Sequence, residues 1–173
     1  MSVWEIRIFG DPVLREKCRA VESIDGEIRT LIDDLTDTMY AAEGVGLAAP
    51  QVGVPLRVFV YDVREPEARA GALVNPRIVE RSGTAKETEG CLSIPGLSEI
   101  VGRDARVVVE GLDRDGREVQ IDAEGLLSRC LQHEIDHLDG ILFIDHLSPL
   151  KRKMLLSKWA KMDESEKVPV HAL

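Results

Sequence analysis

The chain has 173 residues, a formal net charge of −9, 44% hydrophobic residues and 31% charged residues. That length suits one domain, residues 1–173, with a sizeable core, and the acidic balance argues against a DNA-binding surface. No run of about 18 apolar residues is present to span a membrane, and Met1-Ser2-Val3-Trp4-Glu5 offers neither a basic nor an apolar leader region, so a cytoplasmic protein is expected.

In chain order, residues 3–9 are apolar and β-branched enough to predict a short edge strand, and Asp11-Pro12 predicts a turn. Cys18 reads as a small filler residue. Together with Cys91 and Cys130 it is expected as a thiol rather than a disulfide half, since three cysteines cannot all pair. Asp25 is a good N-cap for a helix whose apolar face is Ile28, Leu31, Ile32, Leu35, Met39 and Ala42. Asp33, Asp34 and Asp37 are expected on its solvated side, and Gly44 as its terminator. The stretch Gly44–Gly53 is nearly free of long side chains apart from Gln51. Such backbone can approach a ligand closely, with Gln51 as an amide donor to an oxyanion. The pattern alone leans the other way, to a tight glycine turn with Gln51 on the surface.

Leu56–Asp62 predicts a buried strand and 64–71 a loop. Further strands are expected at 72–76, 77–80 and 84–89. Arg106–Glu110 and Glu118–Asp122 are predicted strands joined by an Asp113-Arg114-Asp115-Gly116 hairpin turn. After Glu124-Gly125, Leu127, Leu131, Ile135, Leu138 and Leu142 recur at helical spacing, and Asp139-Gly140 closes that helix. Ser148-Pro149 opens a last helix of about 149–162. With strands in the middle and helices towards both ends, the fold class is α+β.

The central stretch is Gln132-His133-Glu134-Ile135-Asp136-His137, an H-E-x-x-H pattern. On a helix, His133 and His137 stand one above the other and can offer two imidazoles to one metal ion. Glu134, one position round, is placed as a general base rather than a ligand. An amphipathic helix with its histidines so spaced by chance would read the same way. Cys91, in Glu89-Gly90-Cys91-Leu92-Ser93, is either a third ligand, leaving an open position for catalysis, or a buried small hydrophobe.

Gly44–Gln51, Glu89–Ser93 and Gln132–His137 resemble the three signature motifs of the peptide deformylase family, in the family's order. Gly10–Arg15, Asn75-Pro76, Leu112–Gly116 and Asp145–Leu150 are similar to family positions too, so the likeness covers about residues 6–160. It implies small mixed or antiparallel sheets packed around a central H-E-x-x-H helix, with an N-terminal and a C-terminal helix. It also implies a hydrolase that removes the N-formyl group from N-formylmethionyl peptides in protein biosynthesis. Cys91, His133 and His137 would hold Fe(2+), with Ni, Co or Zn able to substitute. A metal-acidified water would attack the formyl carbon with Glu134 as base and then acid, while Gln51 and the Leu92 N–H hold the oxygen. Val45, Leu126, Arg129 (through its stem), Cys130 and His133 would line the methionine slot, and a tight wall near Val45 and Gly46 would exclude an acetyl methyl, with the peptide adding as a strand beside 44–46. Arg103 would pair with Asp136. The basic C-terminal helix (Lys151, Arg152, Lys153, Lys158, Lys161) reads first as a solvated face, while the family's role implies docking on the ribosome. The competing expectations are a zinc peptidase, whose third ligand would follow the helix with His146 the nearby candidate, and an inactive relative that only binds.

Overall fold

The computed structural model describes residues 2–169. Helix α1 (Gly26–Ala41) is followed by strands β1 (Gly46–Ala48), β2 (Val58–Tyr61), β3 (Gly71–Ser82), β4 (Ala85–Cys91), β5 (Ile94–Arg103), β6 (Arg106–Leu112) and β7 (Glu118–Glu124), then α2 (Gly125–Leu138) and α3 (Pro149–Lys161). The class is α+β, as expected. Two sheets form, one of five strands in the order β1-β2-β3-β6-β7 and one of two, β4-β5, all neighbours antiparallel.

The period-two alternation of the central strands distributes the core. Val58, Val60 and Val74 pack with the apolar face of α1 (Leu31, Ile32, Leu35, Met39). Phe59, Tyr61, Leu73, Val107 and Val109 pack on the opposite side with Leu131, Ile135 and Leu138 of α2. Burying each of these large side chains contributes about 1.5–3 kcal/mol, so the sheet pins α2 firmly. A third cluster (Ile94, Val101, Phe143, Ile144, Leu155, Trp159) seats the two-stranded sheet against α3. Among the described residues no helix is long and apolar enough to cross a membrane.

Several expectations need correcting. Residues 3–9 form no strand. Their backbone donors are met by other groups: Trp4 N–H by Thr38 Oγ1 at 2.9 Å, Arg7 N–H by Gln51 O at 2.7 Å and Phe9 N–H by Ser93 O at 2.7 Å. Asp34 is buried rather than solvated, accepting from Ser2 N–H and the Trp4 indole. The left-handed residue closing α1 is Glu43, with φ 54°, not Gly44. Gly44 instead makes room for Leu92, whose Cδ1 lies 2.8 Å from where a Cβ would stand. The two strands expected at 72–76 and 77–80 are one, β3, interrupted by shifts of register beside Asn75, which has φ 51° and whose side chain bonds both backbone groups of Val21. Strand β5 went unread because a proline and two glycines break up its sequence. Leu142 lies beyond α2, in the core under α3. The hairpin turn after β6, the Asp25 cap and the Ser148 cap stand where expected.

Candidate metal centre

Helix α2 presents two faces. Leu131, Ile135 and Leu138 enter the core, His133 and His137 turn towards the β4–β5 hairpin, and Cys130 and Glu134 lie against β1. The helix is fixed axially by Gln132 and Ser128, which bond the backbone of Asp104. Across from it, Cys91 ends β4 at the turn into β5.

The two elements meet at three ligand atoms. His133 Nε2 and His137 Nε2 are 3.2 Å apart, and His137 Nε2 is 3.3 Å from Cys91 Sγ. All three atoms lie within 4.8 Å of one another, and this is the only such group among the described residues. A tetrahedral ion bonded to nitrogen at about 2.0–2.1 Å and to sulfur at about 2.3 Å spaces its ligands roughly 3.3–3.6 Å apart, so the donors present fit a small first-row cation. The other two thiols are poorly suited to the role. Burial pushes Cys18 up to about 11, and burial, with Glu134 and Glu89 nearby, keeps Cys130 well above the usual thiol range. His146 does not join the group; its Nε2 sits 2.8 Å from Asp136 Oδ2.

His133 is oriented from behind, with Nδ1 2.8 Å from Glu89 Oε2. Bonding that nitrogen leaves Nε2 as the lone-pair side facing the centre. Glu89 is in turn gripped by Arg103, through Nε at 3.0 Å and through Nη2, and by Arg129 Nη1 at 3.0 Å. Arg103 Nη1 also reaches Asp136 Oδ2 at 2.6 Å, the pairing expected from the sequence. Burial favours a protonated Glu89, but hydrogen bonds and charge from His133 and Arg103 outweigh it and hold the carboxyl far below the usual range. Burial, with His133 and Arg103 beside it, keeps His137 well below the ordinary imidazole range. The neutral form is the one that ligates.

Glu134 is buried and its Oε1 has no protein partner among the described residues. Burial pushes it up to about 7, helped by Glu89 and opposed by His133. A Cβ at Gly46 would lie 2.5 Å from Glu134 Oε2 and 2.9 Å from Cys130 Sγ, so β1 can press on the carboxylate only because that position has no side chain. Gln51 is 2% exposed, not on the surface. Its Oε1 accepts from Ala48 N–H at 2.9 Å, which aims Nε2 at Ser93 Oγ, 3.1 Å away, and at Cys91 Sγ, 3.7 Å away.

One cavity of about 480 Å³ gathers Val45, Gly46, Gln51, Cys91, Leu92, Leu126, Arg129, Cys130, His133 and Glu134. His137 lies just behind it, 1% exposed. Every site residue expected from the sequence is therefore at or against one pocket. Two were missed. Glu89 had a readable signal, since it shares a face of β4 with Cys91 two residues on. Ser93 had none.

A cysteine sulfur and two imidazoles around one point, with a buried carboxyl group alongside and a pocket opening onto both, is the equipment of a metallohydrolase. The chain belongs to the polypeptide deformylase family, whose model matches residues 3–153. It is 50% identical over 171 residues to a peptide deformylase of Alkalilimnicola ehrlichii, covering 98% of this chain and 96% of the relative. Its fold is similar to the crystal structure of a peptide deformylase from Legionella pneumophila, with TM-score 0.87 and 48% identity over 92% of this chain and 95% of that one. It is also similar to the Ehrlichia chaffeensis peptide deformylase in complex with actinonin, with TM-score 0.89 and 43% identity over 93% and 98% of the two chains.

Proposed function

We propose that residues 1–173 act as one cytoplasmic catalytic domain that removes the N-formyl group from the initiator methionine of new peptides. Formyl amide and water give formate and a free amine. The observation that carries this reading is the convergence of the Glu134 carboxylate, the Gln51 amide and the Cys91–His133–His137 donor set on one pocket. Fe(2+) is the cofactor proposed, with Ni, Co or Zn able to substitute, held by Cys91, His133 and His137. When bound it supplies Lewis-acid pull on the carbonyl and acidifies water towards a pKa of about 7.

The chain's own groups do the rest. Glu134 takes a proton from the attacking water through its unpartnered oxygen and returns it to the leaving nitrogen. Charge develops on the formyl oxygen, and Gln51 Nε2 with the Leu92 backbone N–H stabilises it. One such donor is typically worth about 2.7–4 kcal/mol of barrier. The methionine side chain fills the apolar end made by Val45, Leu126, Cys130, His133 and the stem of Arg129. Gly46 and Val45 form the wall that leaves no room for the extra methyl of an acetyl group. The peptide continues as an added strand beside residues 44–46.

The test is formate release from formyl-Met-Ala-Ser by protein purified without oxygen and loaded with Fe(2+), beside acetyl-Met-Ala-Ser. Formate from the first and no acetate from the second is the expected result. No formate from metal-loaded protein would overturn the reading in favour of a peptidase or a binding relative.

Lys151, Arg152, Lys153, Lys158 and Lys161 concentrate positive charge on α3 of a chain whose net charge is −9. Lys151 and Arg152 lean towards Glu99 and Asp145 at 3.7 and 3.6 Å, while the others face outward. We place this helix on ribosomal RNA, where emerging peptides are met. Pelleting with ribosomes should occur at low salt and fall steeply as salt rises. Replacing Lys153, Lys158 and Lys161 by Glu should abolish it, and equal pelleting by that variant would remove α3 from the contact.

A further inference from the structure

The chain does not leave the molecule after α3. It turns at Met162, through bonds from Glu166 N–H to Asp163 O at 2.9 Å and from Lys167 N–H to Glu164 O at 3.2 Å, and runs back to the pocket. Met162, which packs against the third core cluster, and Lys167, whose Nζ also lies 3.7 Å from Glu164 Oε1, tie this segment down. Met162 Cε stands 3.2 Å from where a Cβ would be at Gly96 in β5, and Lys167 Nζ lies 5.1 Å from the Trp159 ring centre. A desolvated cation over an indole is a strong form of that contact, and the Lys167 side chain is only 13% exposed. Trp159 itself packs edge-on against Phe9, whose backbone N–H is bonded to Ser93 O beside the site. The segment ends, among the described residues, in a buried Pro169 that lines the same cavity as Cys91 and Glu134.

In that cavity the methionine slot lies against α2, and the β4–β5 hairpin forms the facing wall with Pro95, Gly96 and Leu97. Pro169 joins the same lining, and Met162 of its segment stands against Gly96 of that hairpin. The family match ends at residue 153, so the segment lies outside the region that the family model covers.

Building on the deformylase reading, we propose that Met162–Pro169 is a wall of the peptide groove, with Pro169 in contact with the residues that follow formyl-methionine. The wall it makes with Pro95 and Leu97 is apolar and suits an apolar side chain at the second or third residue. Lys167 is a positioning residue, acting by holding the segment on Trp159.

The test uses the full-length, Fe(2+)-loaded protein with Pro169→Gly and, separately, Lys167→Ala. Each is assayed on formyl-Met-amide, which ends before the wall, and on formyl-Met-Ala-Leu, which reaches it. The expected result in both variants is a roughly fivefold fall in the ratio of kcat/KM, tripeptide over amide, carried by KM rather than kcat. A ratio kept within about twofold, including an equal loss on both substrates as a merely structural role would give, overturns the inference. Wild-type protein releasing no formate from either substrate would take the deformylase reading down and this inference with it, so the two failures are distinguishable.

Discussion

Glu134→Ala protein should hold its metal at the wild-type ratio and lose at least about a thousandfold in kcat on formyl-Met-Ala-Ser. The carboxylate is buried, has one oxygen without a protein donor, and bonds neither His133 nor His137 in the structure. Its removal should therefore leave the ligand set standing and delete only the proton carrier. The space vacated is small, and β1 already presses on it through Gly46, so the fold should be kept. Metal content by elemental analysis together with formate release checks both halves. Wild-type turnover in this variant would show that the proton moves by another route, and loss of metal would show that the carboxylate is a ligand after all.

The second large effect is on stability. Glu89→Ala should lower the unfolding free energy by about 3–5 kcal/mol, because removing the carboxylate at the middle of a buried charge cluster leaves buried positive charge without its full complement. Glu89 bonds Arg103, Arg129 and His133, with side-chain exposures of 5%, 4%, 9% and 11% across the four. Arg129 would be left in the interior with backbone carbonyls but no carboxylate, and Arg103 with Asp136 alone. In a chain of this size each kcal/mol moves Tm by roughly 2–4 °C, so thermal unfolding should shift by about 6–20 °C. Metal affinity should fall too, since His133 would lose the group that orients it; such partners are typically worth about 10–100-fold in metal affinity or activity. The exposed pair Arg77–Glu110 is the internal control; breaking it should cost less than about 1 kcal/mol. A Glu89→Ala protein that melts with the wild type would mean that water reaches the two arginines.

What was readable from the sequence follows a physical line. The candidate ligands on α2 were legible because helical periodicity converts a spacing of four into a shared face, and His133 and His137 are found on one. Cys91 was a plausible ligand, but its meeting with α2 depends on the β4–β5 hairpin, and β5 was hidden by Pro95, Gly96 and Gly102. Gln51 was misjudged from pattern alone. A glycine-rich turn gives no hint that the side-chain amide will be buried by a bond to Ala48, and only the family resemblance supplied that. Residues 3–9 had strand composition, yet α1 and the site loops supplied acceptors in place of a neighbouring strand. The closeness of β1 to Glu134 is a contact across the fold that no local pattern announces.

The five-stranded sheet has two outer strands, and they are finished differently. β7 carries Glu118, Gln120, Asp122 and Glu124 outward along its length. β1 is three buried residues beside the pocket. An unpaired strand edge is a template for any extended chain that meets it. Two β7 edges brought together would set carboxylate against carboxylate, so copies of the protein resist stacking edge to edge into aggregates. β1 is sheltered by its shortness and its surroundings instead. The two edges of the sheet are thus finished by different means, charge along β7 and brevity at β1.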